Sequence, residues 1–223
     1  MAKQCYICGN PATSKEHAPA QSYFPEDQAF RINLVTVPAC REHNEDTAKD
    51  DEYVRNIISM SLGGNNVAFK QFLDKTIESF EQSKGLLVTT IKNSQRVYTD
   101  ENGTIKPTVA FQIDRDRFNK VIRKIAYALF YKTYKEPWDR ELIVMTEFLR
   151  QGNMQADEFG ELIRQVKPLI EEHPFDGNNP QVFKFKFLQP ESENNHEQVL
   201  RMIFYEGFEL WITTVTNSHG PKL

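Results

Sequence analysis

The sequence has few cysteines, no long apolar run and no excess of positive charge. Three cysteines among 223 residues argue against a disulfide framework. No stretch approaches the twenty apolar residues of a transmembrane helix, and the first residues lack the apolar region of a secretory signal. We therefore expect a cytoplasmic protein that does not enter a membrane. The formal net charge of −4 argues mildly against nucleic-acid binding, which depends on neutralising phosphates.

What the chain does contain predicts a folded α+β protein. Hydrophobic residues make up 39% and aromatic residues 12% of the sequence, which is enough for a core. The first 45 residues are rich in proline and read as loops around one short strand, 32–37. Apolar periodicity predicts helices at about 44–62, 66–83, 115–134, 139–151 and 156–171. Alternating residues predict strands within 86–113, with a hairpin turn at Asn102–Gly103, and again at 183–187 and 208–212.

All three cysteines lie in the first forty residues, where two matching pairs stand out. Cys5 and Cys8 are separated by two residues, and so are Cys40 and His43. This spacing points two ligands of each pair at one tetrahedral metal, so the sequence predicts a structural zinc site of three cysteines and one histidine. The alternative is that Cys40 is a small core residue and His43 lies on a helix surface.

The residues between and after these pairs add a second pattern. Glu16-His17 follows the first pair, Asn33-Leu34-Val35 precedes the second, and Asn44 follows His43 directly. In this order the segment from about residue 3 to residue 55 resembles the HNH endonuclease superfamily, including the phage junction-resolving nucleases of the endonuclease VII type. Two details differ from the common pattern: the second pair ends in histidine, and glutamate stands where aspartate is frequent.

The resemblance implies a ββα-metal motif with its zinc site over residues 1–62, joined to a helix-rich body with C-terminal antiparallel strands over 63–223. It implies that His17 is the general base in phosphodiester hydrolysis and that Asn33 orients its ring. Glu16 and Asn44 would hold Mg²⁺ or Mn²⁺, whose preference for oxygen ligands suits a carboxylate and an amide. The implied substrate is nucleic acid, with DNA favoured. The body would recognise that substrate or a protein partner, as in defence and mobile-element systems.

The predicted helix at 115–134 is unusually basic, since seven Lys or Arg residues and one acid lie between residues 115 and 135. We expect Lys120, Arg123 and Lys124 to contact a nucleic-acid backbone, with interleaved tyrosines able to stack on bases. Replacing these lysines should then barely change stability. The alternative is a solvated face of a core helix. For the whole chain, the alternative to an enzyme is a zinc-containing module that binds nucleic acid or protein without cutting it.

Overall fold

The computed structural model describes residues 3–83, 85, 88, 93–101, 103–146, 155–188 and 198–214. These residues form a mixed α+β fold. Its main elements are, in chain order, β1 (Ser14–His17), β2 (Thr36–Ala39), α1 (Ala48–Met60), α2 (Asn66–Gln71), α3 (Ile77–Gln82), β3 (Gln95–Glu101), β4 (Thr104–Ala110), α4 (Arg115–Tyr134), β5 (Leu142–Met145), α5 (Gln155–Glu171), β6 (Asp176–Asn179), β7 (Phe183–Leu188), β8 (Val199–Phe204) and β9 (Phe208–Thr214). A π-helical turn, Phe72–Thr76, joins α2 to α3. Short 3-10 turns cover Gln21–Tyr23, Gln28–Phe30, Arg41–His43 and Glu45–Thr47.

The strands form three antiparallel sheets. β1 pairs with β2, with Glu16 opposite Val37 and His17 opposite Thr36. β3 and β4 form a hairpin of their own, and the remaining strands form a five-stranded sheet in the order β5-β9-β8-β7-β6. Among the residues described, no helix has the length and apolar character needed to cross a membrane.

Helix α4 contacts both the N-terminal segment and the large sheet. Its apolar face is buried, as the predicted periodicity requires. Phe118 contacts Phe208 at a ring-centroid distance of 6.2 Å, and Phe130 stacks on Trp138 at 4.7 Å. One buried cluster contains side chains from both sides of residue 62. The domain boundary at that position stays a prediction.

The turn between α1 and α2 packs directly on the turn between β8 and β9. Gly63 adopts a left-handed conformation with φ of +85°, which favours glycine. The backbone N–H of Asn65 donates to the Tyr205 carbonyl at 3.0 Å. A side chain on Gly207 would meet the Gly63 carbonyl oxygen at 1.9 Å. The turn at Gly63 that follows α1 therefore also fixes the helix against the sheet.

Most of the predicted elements are present. The helix at 115–134 is confirmed, the helix at 66–83 is confirmed with a π turn inside it, and β3 and β4 form the predicted hairpin between Glu101 and Thr104. The predicted strand at 32–37 begins later, at Thr36. The helix predicted at 139–151 is wrong in its described part, because Leu142–Met145 is an edge strand paired with β9. The rest of that prediction, 147–151, lies outside the described residues.

Candidate metal centre and adjoining cleft

The four predicted zinc ligands meet at one point. The sulfur atoms of Cys5, Cys8 and Cys40 and a ring nitrogen of His43 all lie within 4.8 Å of one another. Cys8 Sγ and Cys40 Sγ are 3.8 Å apart, and His43 Nδ1 lies 3.6 Å from Cys5 Sγ and 3.2 Å from Cys40 Sγ. The four side chains can therefore hold a metal ion such as zinc.

These separations can be compared with tetrahedral geometry. With Zn–S bonds of about 2.3 Å and a Zn–N bond of about 2.0 Å, tetrahedral ligands place two sulfurs about 3.8 Å apart and sulfur and nitrogen about 3.5 Å apart. The Cys8–Cys40 distance equals the first value, and the two distances from His43 Nδ1 bracket the second. The cluster has the size of a zinc site.

A backbone turn positions the first pair of ligands, Cys5 and Cys8. Cys5 N–H donates to the Asn10 carbonyl at 2.8 Å, and Gly9 N–H donates to the Cys5 carbonyl at 3.1 Å with Gly9 at a φ of +70°. Burial raises the pKa of the Cys5 thiol, but hydrogen bonds from nearby backbone groups, those of Cys8 and Ile7 foremost, outweigh it and lower that pKa. A thiol held in this way is prepared to ligate a metal as thiolate.

A cleft of about 490 Å³ opens beside this cluster. It brings together three of the predicted catalytic residues, namely Glu16, His17 and Asn44. One face of α1 forms part of the wall, because positions spaced by three and four residues share a helix face. The residues of that part are Ala48, Asp51, Glu52 and Arg55.

Glu16 is buried and engaged by a residue from a distant helix. Lys124 Nζ lies 2.8 Å from Glu16 Oε1, 2.6 Å from Asp51 Oδ2 and 2.8 Å from Thr47 Oγ1. The Lys124–Glu16 contact has the distance of an ion pair but not the angles of a hydrogen bond. Glu16 Oε1 therefore has no hydrogen-bond donor among the described residues, and Asp51 Oδ1 has none either. Burial raises the pKa of both carboxyl groups, and Lys124 partly opposes that rise.

His17 and Asn44 line the same cleft. The His17 side chain is half-buried, and this burial lowers its pKa, which keeps the ring neutral at neutral pH. The Asn44 amide nitrogen donates to Ser14 Oγ at 2.8 Å and to the Lys15 carbonyl at 3.3 Å. Those donations tie the residue to β1 and leave its amide oxygen as an acceptor.

Asn33 is not among the residues that line the cleft with His17. It is exposed, with a left-handed φ of +50°, and its carbonyl accepts a hydrogen bond from Asn178 at 3.0 Å. Among the described residues its side chain makes no hydrogen bond to the His17 ring. No hydrogen bond among the described residues therefore supports the orienting role predicted for Asn33, which stays a prediction.

Lys124 of the basic helix α4 is buried, contrary to the predicted contact with a nucleic-acid backbone. Lys124 is 6% exposed and cannot reach a nucleic-acid backbone from this position. Arg123 donates from Nε to the Leu142 carbonyl at 2.8 Å, whereas the Lys120 side chain is 67% exposed. The interleaved Tyr127 and Tyr134 pack against the core. Most of this helix follows the alternative interpretation of a core helix with a solvated face.

Sequence reasoning missed the α1 wall of the cleft. In the sequence, Asp50, Asp51 and Glu52 can be metal ligands, but an acidic first helical turn is the favoured interpretation, and no motif marks Arg55. The spacing of Asp51 and Arg55, four residues apart, was the available signal that both lie on the face that carries Ala48.

Comparisons of this chain with known protein families, with curated proteins and with solved structures found no match.

Proposed function

We propose that this protein is a metal-dependent endonuclease of the HNH type, which hydrolyses phosphodiester bonds in nucleic acid, with DNA favoured. The observation that carries the proposal is the cleft in which Glu16, His17 and Asn44 meet beside the Cys3His cluster. The order of an antiparallel β1–β2 pair followed by α1 agrees with the ββα-metal motif that the resemblance implies.

In this proposal the cluster of Cys5, Cys8, Cys40 and His43 holds a structural zinc ion. The ligand distances fit that ion, and all four positions are filled by protein, which is typical of structural rather than catalytic zinc. The cluster ties the first turn of the chain to the segment that precedes α1. It would thereby hold His17 and Asn44 in a fixed relation.

The cleft also offers oxygen ligands for a second, divalent cation. Asp51 Oδ1 is buried without a hydrogen-bond donor, the Glu16 carboxylate contacts the Lys124 ammonium through Oε1, and the amide oxygen of Asn44 is an acceptor at the same cleft. Hard oxygen ligands of this kind suit Mg²⁺ or Mn²⁺. When bound, such an ion would neutralise charge that develops on the phosphate and the leaving oxygen.

His17 would act as the general base. Its ring lies at the cleft, and its lowered pKa favours the neutral form that can accept a proton from water. The pair that β1 forms with β2 fixes the backbone of His17 opposite Thr36, so the imidazole is presented from a rigid element.

The test is plasmid cleavage with Mg²⁺ or Mn²⁺ by the wild type and by His17→Ala. Loss of a general base typically lowers the rate by about 10²–10⁴-fold, while zinc content and DNA binding should persist because a base acts in the transition state. His173→Ala is the matched control, since His173 is also half-buried and its described contacts use only backbone atoms. Equal cleavage by His17→Ala and His173→Ala would contradict the role of His17.

One observation favours the alternative, a zinc-containing module that binds without cutting. The Lys124 ammonium contacts the same two carboxylates that would hold the divalent cation. A wild-type protein that binds DNA equally with and without Mg²⁺ or Mn²⁺, and cuts under neither condition, would support this alternative.

A further inference from the structure

Four cationic side chains are buried in the described part of the chain, and one of them lacks a close counter-ion. They are Arg55, Lys124, Lys186 and Arg201. The last three each contact a carboxylate oxygen at 2.6 to 3.1 Å. For Arg55, the closest carboxylate contact is 3.9 Å, from Nη2 to Glu52 Oε1. A buried charge without a close partner is costly, which raises the question of what anion compensates it.

The guanidinium of Arg55 is held in place by neutral groups. Nε and Nη2 donate to Asn56 Oδ1 at 3.2 and 2.8 Å, and Nη2 also donates to Ser79 Oγ at 2.8 Å. Nη1 has no hydrogen-bond partner among the described residues, and it is not one of the fully buried unpartnered atoms. The planar group is therefore fixed along one edge and keeps donors for a further ligand.

Arg55 is one of the residues that line the cleft. Arg55 lies one helical turn beyond Asp51 on the face of α1 that lines it, and His17 lines the same cleft from β1. The other charged residues of the cleft are acidic: Glu16, Glu45, Asp51 and Glu52. Arg55 is therefore the single arginine or lysine among the lining residues, and an anion that enters has this one guanidinium to bind.

We infer that Arg55 is a phosphate-binding residue, which holds a non-bridging oxygen of the nucleic-acid backbone in the cleft that contains His17. The inference deepens the proposed endonuclease function and rests on it for the identity of the ligand. A planar guanidinium with unused donors matches the oxygens of a phosphodiester, and its fixed orientation reduces the entropy lost on binding. Arg201, equally buried but bonded to Glu171 and Glu209, has no such capacity.

The experiment compares Arg55→Gln with Arg31→Gln. Arg31 also donates to neutral acceptors, the carbonyls of Pro25 and Phe24, but it does not line the cleft. Two probes are used: the rise of Tm in inorganic phosphate relative to chloride of equal ionic strength, and binding of a short labelled DNA duplex in a His17→Ala background. We expect Arg55→Gln to abolish the phosphate-dependent rise and to weaken duplex binding about 10-fold or more. The log–log salt slope should shrink by roughly 0.9, and Arg31→Gln should change neither probe.

The outcomes separate this inference from the proposed function. If Arg55→Gln responds to both probes as Arg31→Gln does, Arg55 is not a phosphate site. A phosphate-dependent Tm rise that requires Arg55, in a protein that neither binds nor cuts DNA, supports the phosphate site and contradicts the endonuclease. If Arg55→Gln fails to fold, Arg55→Lys replaces it, because lysine keeps the charge and loses the planar fork. Wild-type responses of Arg55→Lys to both probes would then overturn the inference.

Discussion

Replacing Lys124 with methionine tests how the cleft is held together. The ammonium of Lys124 contacts Asp51, Glu16 and Thr47 within 2.8 Å, and the side chain is 6% exposed. Methionine has a similar length and no charge, so the substitution removes the ammonium and leaves little empty space. Two buried carboxylates then face each other without their shared cation.

Breaking a buried ion pair by removing one partner costs about 3–5 kcal/mol, because the remaining charge stays buried without compensation. For a protein of about 150–250 residues, each kcal/mol lowers Tm by roughly 2–4 °C. We therefore expect Lys124→Met to lower Tm by roughly 6–20 °C. This expectation replaces the sequence-based one, in which Lys124 was a surface residue whose substitution would barely change stability.

Thermal unfolding followed by circular dichroism measures the effect, with Lys120→Met as the control. Lys120 lies one turn away on the same helix, its side chain is 67% exposed, and its contact with Asp50 is 3.5 Å. An exposed pair of this kind contributes at most about 1 kcal/mol. Equal Tm values for the two variants would refute the conclusion that Lys124 neutralises buried carboxylates.

Three further predictions concern the metal cluster, a glycine contact and an ion pair of the sheet. Cys40→Ala should abolish stoichiometric zinc in elemental analysis of the purified protein, and one retained zinc per chain would exclude the site. Gly207→Ala should cost about 1–3 kcal/mol or more in urea unfolding, since the new methyl group meets backbone. Gly160→Ala, in open space on α5, should instead be neutral or stabilising by up to about 1 kcal/mol. Hydrogen bonds from Arg201 and Lys186 lower the pKa of the Glu171 carboxyl group. The contribution of Glu171 to folding stability is therefore fully present above its unfolded-state pKa of about 4.3 and is lost as the pH falls through its lower folded-state pKa. Glu171→Gln should therefore lower Tm at neutral pH and flatten the acid limb of a Tm–pH profile.

Local patterns in the sequence predicted the parts of the fold that depend on neighbours along the chain. The apolar stripe of α4 recurs with a helical period, and its residues are buried as that period requires. The alternation of Phe183, Phe185 and Phe187 predicted β7. Two matching ligand pairs predicted the metal cluster, which the fold assembles from separate turns. The prediction was possible because the two-residue gap between the ligands of each pair is a local feature of the sequence.

Contacts between distant segments could not be predicted in the same way. Leu142–Met145 has an apolar pattern that suits a helix as well as a strand, and its pairing with β9 at the sheet edge decides the outcome. Lys124 lies among other basic residues in its helix, which suggests a position on the solvated face. Its neighbours along the chain do not indicate that it contacts the carboxylates of Glu16 in β1 and Asp51 in α1. The contact of Asn33 could not be predicted from the sequence either, because its hydrogen-bond partner, Asn178, lies 145 residues away along the chain.

The side chains of the cleft are therefore held by residues beyond the first sixty as well as by residues within them. Lys124 reaches from α4 to Glu16 and Asp51, and Ser79 reaches from α3 to the guanidinium of Arg55. Both contacts come from beyond residue 62, and both act on side chains that line the cleft. Four predicted ligands can define a metal cluster within the N-terminal segment, but Glu16, Asp51 and Arg55 in the adjoining cleft also have contacts from residues beyond 62. In the proposed endonuclease, residues beyond 62 contribute to the cleft directly by holding these side chains, in addition to any recognition of substrate.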